Sequence, residues 1–79
     1  MDIPEPSKTL DVVGLLCPLP VMKAKRAIAD MGEGEVLEIL ADDPETEIDM
    51  PTWAKREGHE LLKTEKDGEV FRFYIRKGD

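Results

Sequence analysis

The sequence has few of the residues on which several classes of protein depend. Its 79 residues include one cysteine, one histidine, one tryptophan, one tyrosine and two phenylalanines. A single cysteine excludes an internal disulfide, and one cysteine with one histidine gives no spacing typical of a zinc site. Glycine-rich phosphate loops and serine–histidine arrangements for hydrolysis are missing too. No apolar run approaches the roughly 20 residues of a membrane-spanning helix.

Basic residues are also in the minority. Eleven lysines and arginines stand against 18 aspartates and glutamates, which gives a net charge of -7. Because this charge repels phosphate groups, the sequence predicts no direct binding to nucleic acid or to a membrane surface. Residues 1–6 lack the basic end and apolar run of an export signal, and the cysteine usage fits a reducing compartment. We therefore expect a cytoplasmic protein.

The length of the chain allows one domain with a modest core. At this size, folding buries only about 60% of the surface that the unfolded chain exposes. Two prolines alternate with charged residues in residues 1–8, which predicts a flexible N-terminal tail. A single domain is expected over residues 9–77.

The first half of that domain has the pattern of a strand, a helix and a strand. The first strand is predicted over residues 9–13 and ends at Gly14, and the second covers Val36–Ala41, whose continuous apolar character indicates a central strand. The helix between them should end at Gly32, and its apolar residues recur at spacings of three and four: Val21, Ala24, Ala27, Ile28 and Met31. This order implies a parallel crossover.

The second half predicts a helix followed by a hairpin. Asp43 is the expected N-cap and Gly58 the expected end of the helix. Pro51 should interrupt it, leaving an initial turn over residues 45–49 and a main segment over about residues 50–57. Leu61 and Leu62 fall in the first arm of the hairpin, the turn is predicted at Asp67-Gly68, and three apolar residues alternate in the second arm: Phe71, Phe73 and Ile75.

These elements together predict an α+β fold in the order βαβαββ. Two helices should cover one face of a four-stranded mixed sheet in a two-layer sandwich. The core between the layers should bury Trp53, Phe71 and Phe73.

The residue that could carry chemistry is Cys17, in the segment Cys17-Pro18-Leu19-Pro20 at the junction of strand and helix. Pro18 suits the first helical position, so Cys17 is the predicted N-cap, with the Leu19 amide free to face its sulfur. The positive helix end should then lower the pKa of the thiol. One such cysteine can accept and release sulfur, whereas an oxidoreductase would want a second cysteine. The alternative is a buried, inert cysteine.

Other candidate residues have plainer explanations beside functional ones. Lys23, Lys25 and Arg26 make the first helix basic, which predicts a surface for partner docking or, alternatively, a solvated helix face. A turn and an N-cap explain Asp42 and Asp43, so no metal site is predicted. His59 is expected to be a hydrogen-bonded residue at a strand start rather than a catalytic base.

From about Leu10 to Lys77 the sequence resembles the TusA/SirA family of small sulfur carrier proteins. The likeness rests on the motif of residues 17–20, on Asp11 and Gly14 before it, and on further residues at matching spacings: Gly34, Asp42-Asp43-Pro44, Asp49-Met50-Pro51, Trp53 and Gly58-His59. Leu16 stands where some family members have a basic residue, so contacts by that neighbour are not expected here.

The resemblance implies a βαβαββ fold and a cysteine, Cys17, that takes persulfide sulfur from a cysteine desulfurase or a rhodanese-type donor. The sulfur would pass to a downstream relay protein, and in the family it ends in 2-thiouridine of transfer RNA, in molybdenum cofactor supply or in sulfur oxidation. We therefore expect a non-enzymatic carrier that needs no cofactor. Two alternatives remain: an adaptor or regulatory module with a structural cysteine, and a redox or reductase accessory.

Overall fold

A computed structural model describes residues 5–78 and gives six elements of secondary structure. These are β1 (Lys8–Asp11), α1 (Leu19–Ala29), β2 (Val36–Ala41), α2 (Thr46–Arg56), β3 (Glu60–Asp67) and β4 (Val70–Arg76). The predicted order βαβαββ is confirmed. Neither helix has the length and apolar character of a membrane span within this part of the chain.

The four strands form one mixed sheet in the order β1-β2-β4-β3. β1 and β2 pair in parallel, as the crossover through α1 requires, while β4 pairs antiparallel with β2 and with β3. β2 and β4 are therefore the central strands. The α+β class and the mixed sheet are as the sequence predicts.

The core lies between the helices and one face of the sheet. Leu37 and Ile39 of β2 and Phe73 and Ile75 of β4 have no solvent exposure. α1 and α2 join the same apolar cluster, chiefly through Ala24, Ala27, Ile28, Met50, Trp53 and Ala54. The predicted burial of the aromatic residues in one core is confirmed.

The first strand starts and ends earlier than predicted. The Ser7 amide already donates to the Val36 carbonyl at 2.8 Å, so pairing with β2 begins inside the segment expected to be a tail. Residues 1–4 of that segment lie outside the described residues. Val12 follows the strand but is fully buried. Its amide donates to the Leu40 carbonyl at 2.8 Å, which directs the next residues toward the start of α1.

The second helix is continuous through Pro51, so the predicted interruption is wrong. A proline inside a helix removes one backbone donor, which here leaves one carbonyl without its partner. Met50 and Trp53 are buried on either side of Pro51 and anchor both halves of the helix in the core. Tertiary packing therefore outweighs the local cost. The N-cap is Glu45 rather than Asp43.

The hairpin turn lies one residue later than predicted. Asp67 pairs with Val70, so the turn residues are Gly68 and Glu69. Gly68 has φ of 64°, and no residue other than glycine has a positive φ among residues 5–78. A positive φ at the first turn position alone is characteristic of a type II′ turn. Gly58, with φ of 81°, follows the end of α2 as predicted, whereas α1 ends at Ala29, before Gly32.

Candidate functional site

Cys17 is exposed in the loop between β1 and α1, and it is not the helix N-cap. That position belongs to Pro18, which follows a cis peptide bond, and the helix has no side-chain cap. The Leu19 amide donates to the Leu16 carbonyl at 2.9 Å, so it is not free to face the sulfur. Residues 16–19 form a turn of their own, and the predicted sulfur cap is wrong for this reason.

The rest of the Cys-Pro-Leu-Pro motif divides between core and surface. Pro20 is fully buried in the first turn of α1. Pro18 and Leu19 are exposed beside the thiol. The N-terminal part of the motif is therefore exposed to solvent, and its last residue is buried.

Two aspartates that follow β2 hold the Cys17 loop in place. Asp42 Oδ1 accepts from the Gly14 amide at 2.8 Å. Asp43 is only 6% exposed. Its Oδ2 accepts from the Cys17 amide at 2.8 Å, and its Oδ1 accepts from the Glu45 amide at 3.1 Å. One carboxylate thus ties the backbone of Cys17 to the start of α2.

A cleft of about 260 Å³ opens beside Cys17 between the two helices. α1 contributes Val21 and Lys25 to it, and α2 contributes Asp49, Trp53 and Arg56. Sequence reasoning missed Asp49 and Arg56 as site residues. Their separation of seven residues, with Trp53 between them, places them on one face of a helix, which is the signal that could have found them.

The acidic residues around the cleft shift the pKa of the Cys17 thiol in the direction opposite to the one predicted. Hydrogen bonding to the Asp49 carboxylate raises the pKa of Cys17 above its ordinary value. Partial loss of water contact raises this pKa further, as do the charges of Asp49, Glu45 and Asp43. The sequence predicted a lowered pKa from the helix end. The carboxylates of Asp43, Glu45 and Asp49 raise it instead.

The three basic residues of α1 do not form one patch beside the thiol. Lys25 lines the Cys17 cleft, where its Nζ lies 3.9 Å from Glu57 Oε2. Lys23 and Arg26 line a separate hollow with Lys8 near β1. Only Lys25 is therefore placed beside Cys17, and Arg56 of α2 is its basic neighbour in the cleft.

Large exposed apolar side chains are concentrated in the segment that carries the thiol. Within residues 5–78 there are five of them, and four belong to the segment that carries Cys17: Val13, Leu16, Leu19 and Met22. The fifth, Ile48, adjoins Asp49 in α2. We call these five residues the apolar rim. Such a concentration is typical of a surface that contacts another protein.

The ring of His59 is held by a hydrogen bond and by packing against a core residue. His59 Nδ1 accepts from the Gly78 amide at 3.0 Å, and its ring packs on Trp53 with centroids 5.4 Å apart. The predicted role of His59 as a hydrogen-bonded residue at the start of a strand is confirmed. No group of three potential ligands among residues 5–78 could hold a metal ion.

The sequence of the chain is similar to those of a known protein family. Residues 8–77 match the family Sulfurtransferase TusA. The chain is 49% identical over 69 residues to the "Putative sulfur carrier protein YrkF" of Bacillus subtilis, covering 87% of this chain but 37% of that protein. It is 38% identical over 71 residues to the "Putative sulfur carrier protein YrkI" of the same organism, covering 90% and 95% of the two chains.

A solved structure has the same architecture. The crystal structure of the SirA-like protein from Desulfitobacterium hafniense superposes with a TM-score of 0.79 and 34% sequence identity. The match covers 91% of this chain and 99% of that one. The fold expected from the resemblance is therefore confirmed.

Proposed function

The chain belongs to the Sulfurtransferase TusA family, and from this premise we propose that it carries sulfur as a persulfide on Cys17. The observation that supports this most directly is the position of Cys17, exposed on a loop that the buried Asp43 carboxylate fixes. A fixed loop presents the sulfur in one geometry, and exposure lets a second protein's cysteine reach it. An inert structural cysteine would be buried instead.

The transfer is a thiol exchange in which no sulfur is lost. The Cys17 thiolate attacks the terminal sulfur of a donor persulfide, a new S–S bond forms, and the donor's S–S bond breaks. The electron pair of the broken bond stays on the donor cysteine, which leaves as a thiolate. The persulfide on Cys17 is then transferred in the same way to an acceptor cysteine, which restores the Cys17 thiolate. The protein needs no cofactor for either step.

We infer that the donor is a cysteine desulfurase or a rhodanese-type protein and that the acceptor is a further relay protein. The end product would be 2-thiouridine in transfer RNA, molybdenum cofactor sulfur or an oxidised sulfur compound. The apolar rim, together with Lys25 and Arg56, supplies the surface on which such a partner would dock. Lys23 and Arg26 remain predicted docking residues on a second surface of α1.

Sulfur loading is tested by mass. The native protein and the Cys17→Ser variant are each incubated with a purified cysteine desulfurase and free cysteine, then weighed before and after reduction. We expect the native protein to gain one sulfur atom that reductant removes, and the variant to gain none. No gain in the native protein, or an equal gain in both, would refute the carrier function.

The raised pKa of Cys17 favours one competing function, an adaptor in which the cysteine is structural. A protonated thiol is a poor nucleophile. If the protein is an adaptor, the Cys17→Ser variant should still bind the same partners and should have the same effect in the cell. Loss of the effect together with retained partners would exclude the adaptor.

A further inference from the structure

A carboxylate lines the cleft beside Cys17. Its negative charge opposes ionisation of the thiol, whereas the carrier function requires the thiolate. Of the three acidic residues that act on the thiol, Asp43 is committed to two backbone amides. Glu45 is exposed, and it affects the thiol only through its charge. Asp49 lies one helical turn beyond Glu45, is half-buried and lines the same cleft as Cys17, and of the three carboxylates it has the largest effect on the thiol.

The Asp49 carboxylate has no ion-pair partner in the part of the chain that the structure describes. None of the ion pairs among residues 5–78 involves Asp49 or Arg56, and Lys25 is paired with Glu57 instead. The charged groups that face the thiol from α1 and α2 are therefore Lys25, Arg56, Asp49 and Glu57, with Glu45 and Asp43 at the start of α2. The Asp49 carboxylate therefore shares the cleft with the sulfur and has no ion-pair partner among residues 5–78 to offset its charge.

We propose that Asp49 is a positioning residue that keeps Cys17 protonated in the free carrier, and that a sulfur donor with cationic groups facing α2 releases the thiolate on docking. This inference rests on the proposed carrier function. A lysine or arginine of the donor that pairs with Asp49 takes away the hydrogen-bond acceptor and cancels its charge. The proton is freed from Cys17 on docking, the thiolate then forms the new S–S bond, and the donor's departing thiolate takes the proton up.

The net charge supports a cationic partner of this kind. A chain with net charge -7 is attracted to basic surfaces over distances comparable to the Debye length. Thiolate formation would be favoured in the complex, because Asp49 is neutralised there. In the free protein the exposed thiol would react slowly with oxidants and other electrophiles, since the thiolate is the reactive form.

The first experiment measures the rate of Cys17 alkylation by iodoacetamide against pH. We expect Asp49→Asn to lower the midpoint of the profile and to raise the rate at pH 7 by roughly threefold or more, since one pKa unit corresponds to about tenfold. Asp49→Glu should retain most of the suppression. Glu47→Gln is the matched control, because it removes the same charge from the same helix at a residue that does not act on the thiol. An unchanged midpoint in Asp49→Asn would overturn the proposal.

The second experiment tests the link to docking. The rate of sulfur transfer from a purified cysteine desulfurase is measured for the native protein and for Asp49→Asn. If the donor neutralises Asp49, the Asp49→Asn variant should react faster than the native protein with iodoacetamide but should not accept sulfur faster from the desulfurase. An equal gain in both reactions would overturn the docking part of the proposal.

The outcomes separate this inference from the carrier function. If the native protein accepts no sulfur, the carrier function fails whatever the alkylation profile shows. If it accepts sulfur and Asp49→Asn leaves the profile unchanged, only the role of Asp49 fails. Unfolding midpoints of the variants, measured in urea, identify any change that comes from a damaged fold.

Discussion

At the scale of single residues, Asp43 connects the chemistry to the fold. Its carboxylate is nearly inaccessible to solvent and accepts from the amides of Cys17 and Glu45. Hydrogen bonds to a buried charged group are among the stronger ones, and an amide left without its acceptor costs further free energy. The same side chain therefore orients the Cys17 loop and holds the N-cap residue of α2, Glu45.

Asp43→Ala should lower the free energy of unfolding by about 3 kcal/mol, because two amides lose a charged acceptor. Asp43→Asn keeps one acceptor oxygen and should lose less. Urea unfolding followed by circular dichroism gives both values, with Glu47→Gln as a control that should stay within about 0.5 kcal/mol of the native protein. An alanine variant as stable as the control would contradict this account of Asp43.

The pH dependence of Cys17 is a second prediction at this scale. Because the pKa of the thiol is raised in the folded protein, its thiolate should appear at higher pH than in the unfolded chain. The folded state holds this proton more tightly, so the associated stability is present below the unfolded pKa and is lost as pH rises through the folded pKa. Alkylation profiles of the native and the urea-unfolded protein should show the folded midpoint above the unfolded one. The reverse order would show that the helix end controls the thiol after all.

At the scale of elements, the β3–β4 hairpin depends on one glycine. Gly68 has φ of 64°, and a methyl group added there would meet nothing within 4 Å. The cost of a side chain is therefore one of backbone conformation. Gly68→Ala should lower stability by about 1 kcal/mol, or lower the melting temperature by about 4–8 °C. Gly68→Asn should cost less, and Glu69→Ala should cost little. Equal losses in all three variants would indicate that the turn has another geometry.

The spacing of apolar residues predicted the strands correctly where buried residues are continuous or alternate along the chain. The continuous run Val36–Ala41 and the alternation of Phe71, Phe73 and Ile75 correspond to the two central strands. The predicted interruption at Pro51 was wrong because the free-energy cost of a proline inside a helix is offset by the burial of Met50 and Trp53. Packing decides whether a proline ends a helix, and packing depends on the other elements.

The candidate site was predictable only where its residues are neighbours in sequence. Exposure of the Cys17 motif and its position before α1 could be predicted locally. The bond from the Cys17 amide to Asp43 spans 26 residues, and the approach of Asp49 depends on how α1 and α2 pack. These two contacts determine the backbone geometry and the ionisation of the thiol. For this reason the predicted pKa was wrong, whereas the predicted cap failed on a local turn in which the Leu19 amide donates to the Leu16 carbonyl.

At the scale of the whole molecule, the three basic residues of α1 are divided between two surfaces. Lys25 lines the Cys17 cleft, and Lys23 and Arg26 line the hollow near β1. Lys25→Glu should slow sulfur transfer from a desulfurase more than the double variant Lys23→Glu, Arg26→Glu, because only Lys25 lies beside the reacting sulfur. Lys55→Glu, an exposed change on α2 outside the cleft, is the control. A larger effect of the double variant would identify the hollow near β1 as the main docking surface.

The overall charge leads to the last prediction, that the isolated protein does not bind transfer RNA at physiological salt, even if its sulfur ends there. Binding to a phosphate backbone is driven largely by release of counterions, and it requires several basic residues on one surface. The hollow near β1 offers three, Lys8, Lys23 and Arg26, on a chain with net charge -7. Fluorescence titration with labelled transfer RNA at about 150 mM salt should give no saturation at micromolar protein. The variant with Lys23→Glu and Arg26→Glu should behave in the same way. Micromolar binding that this variant abolishes would show that the hollow near β1 contacts RNA directly and that the carrier itself delivers sulfur to its final substrate.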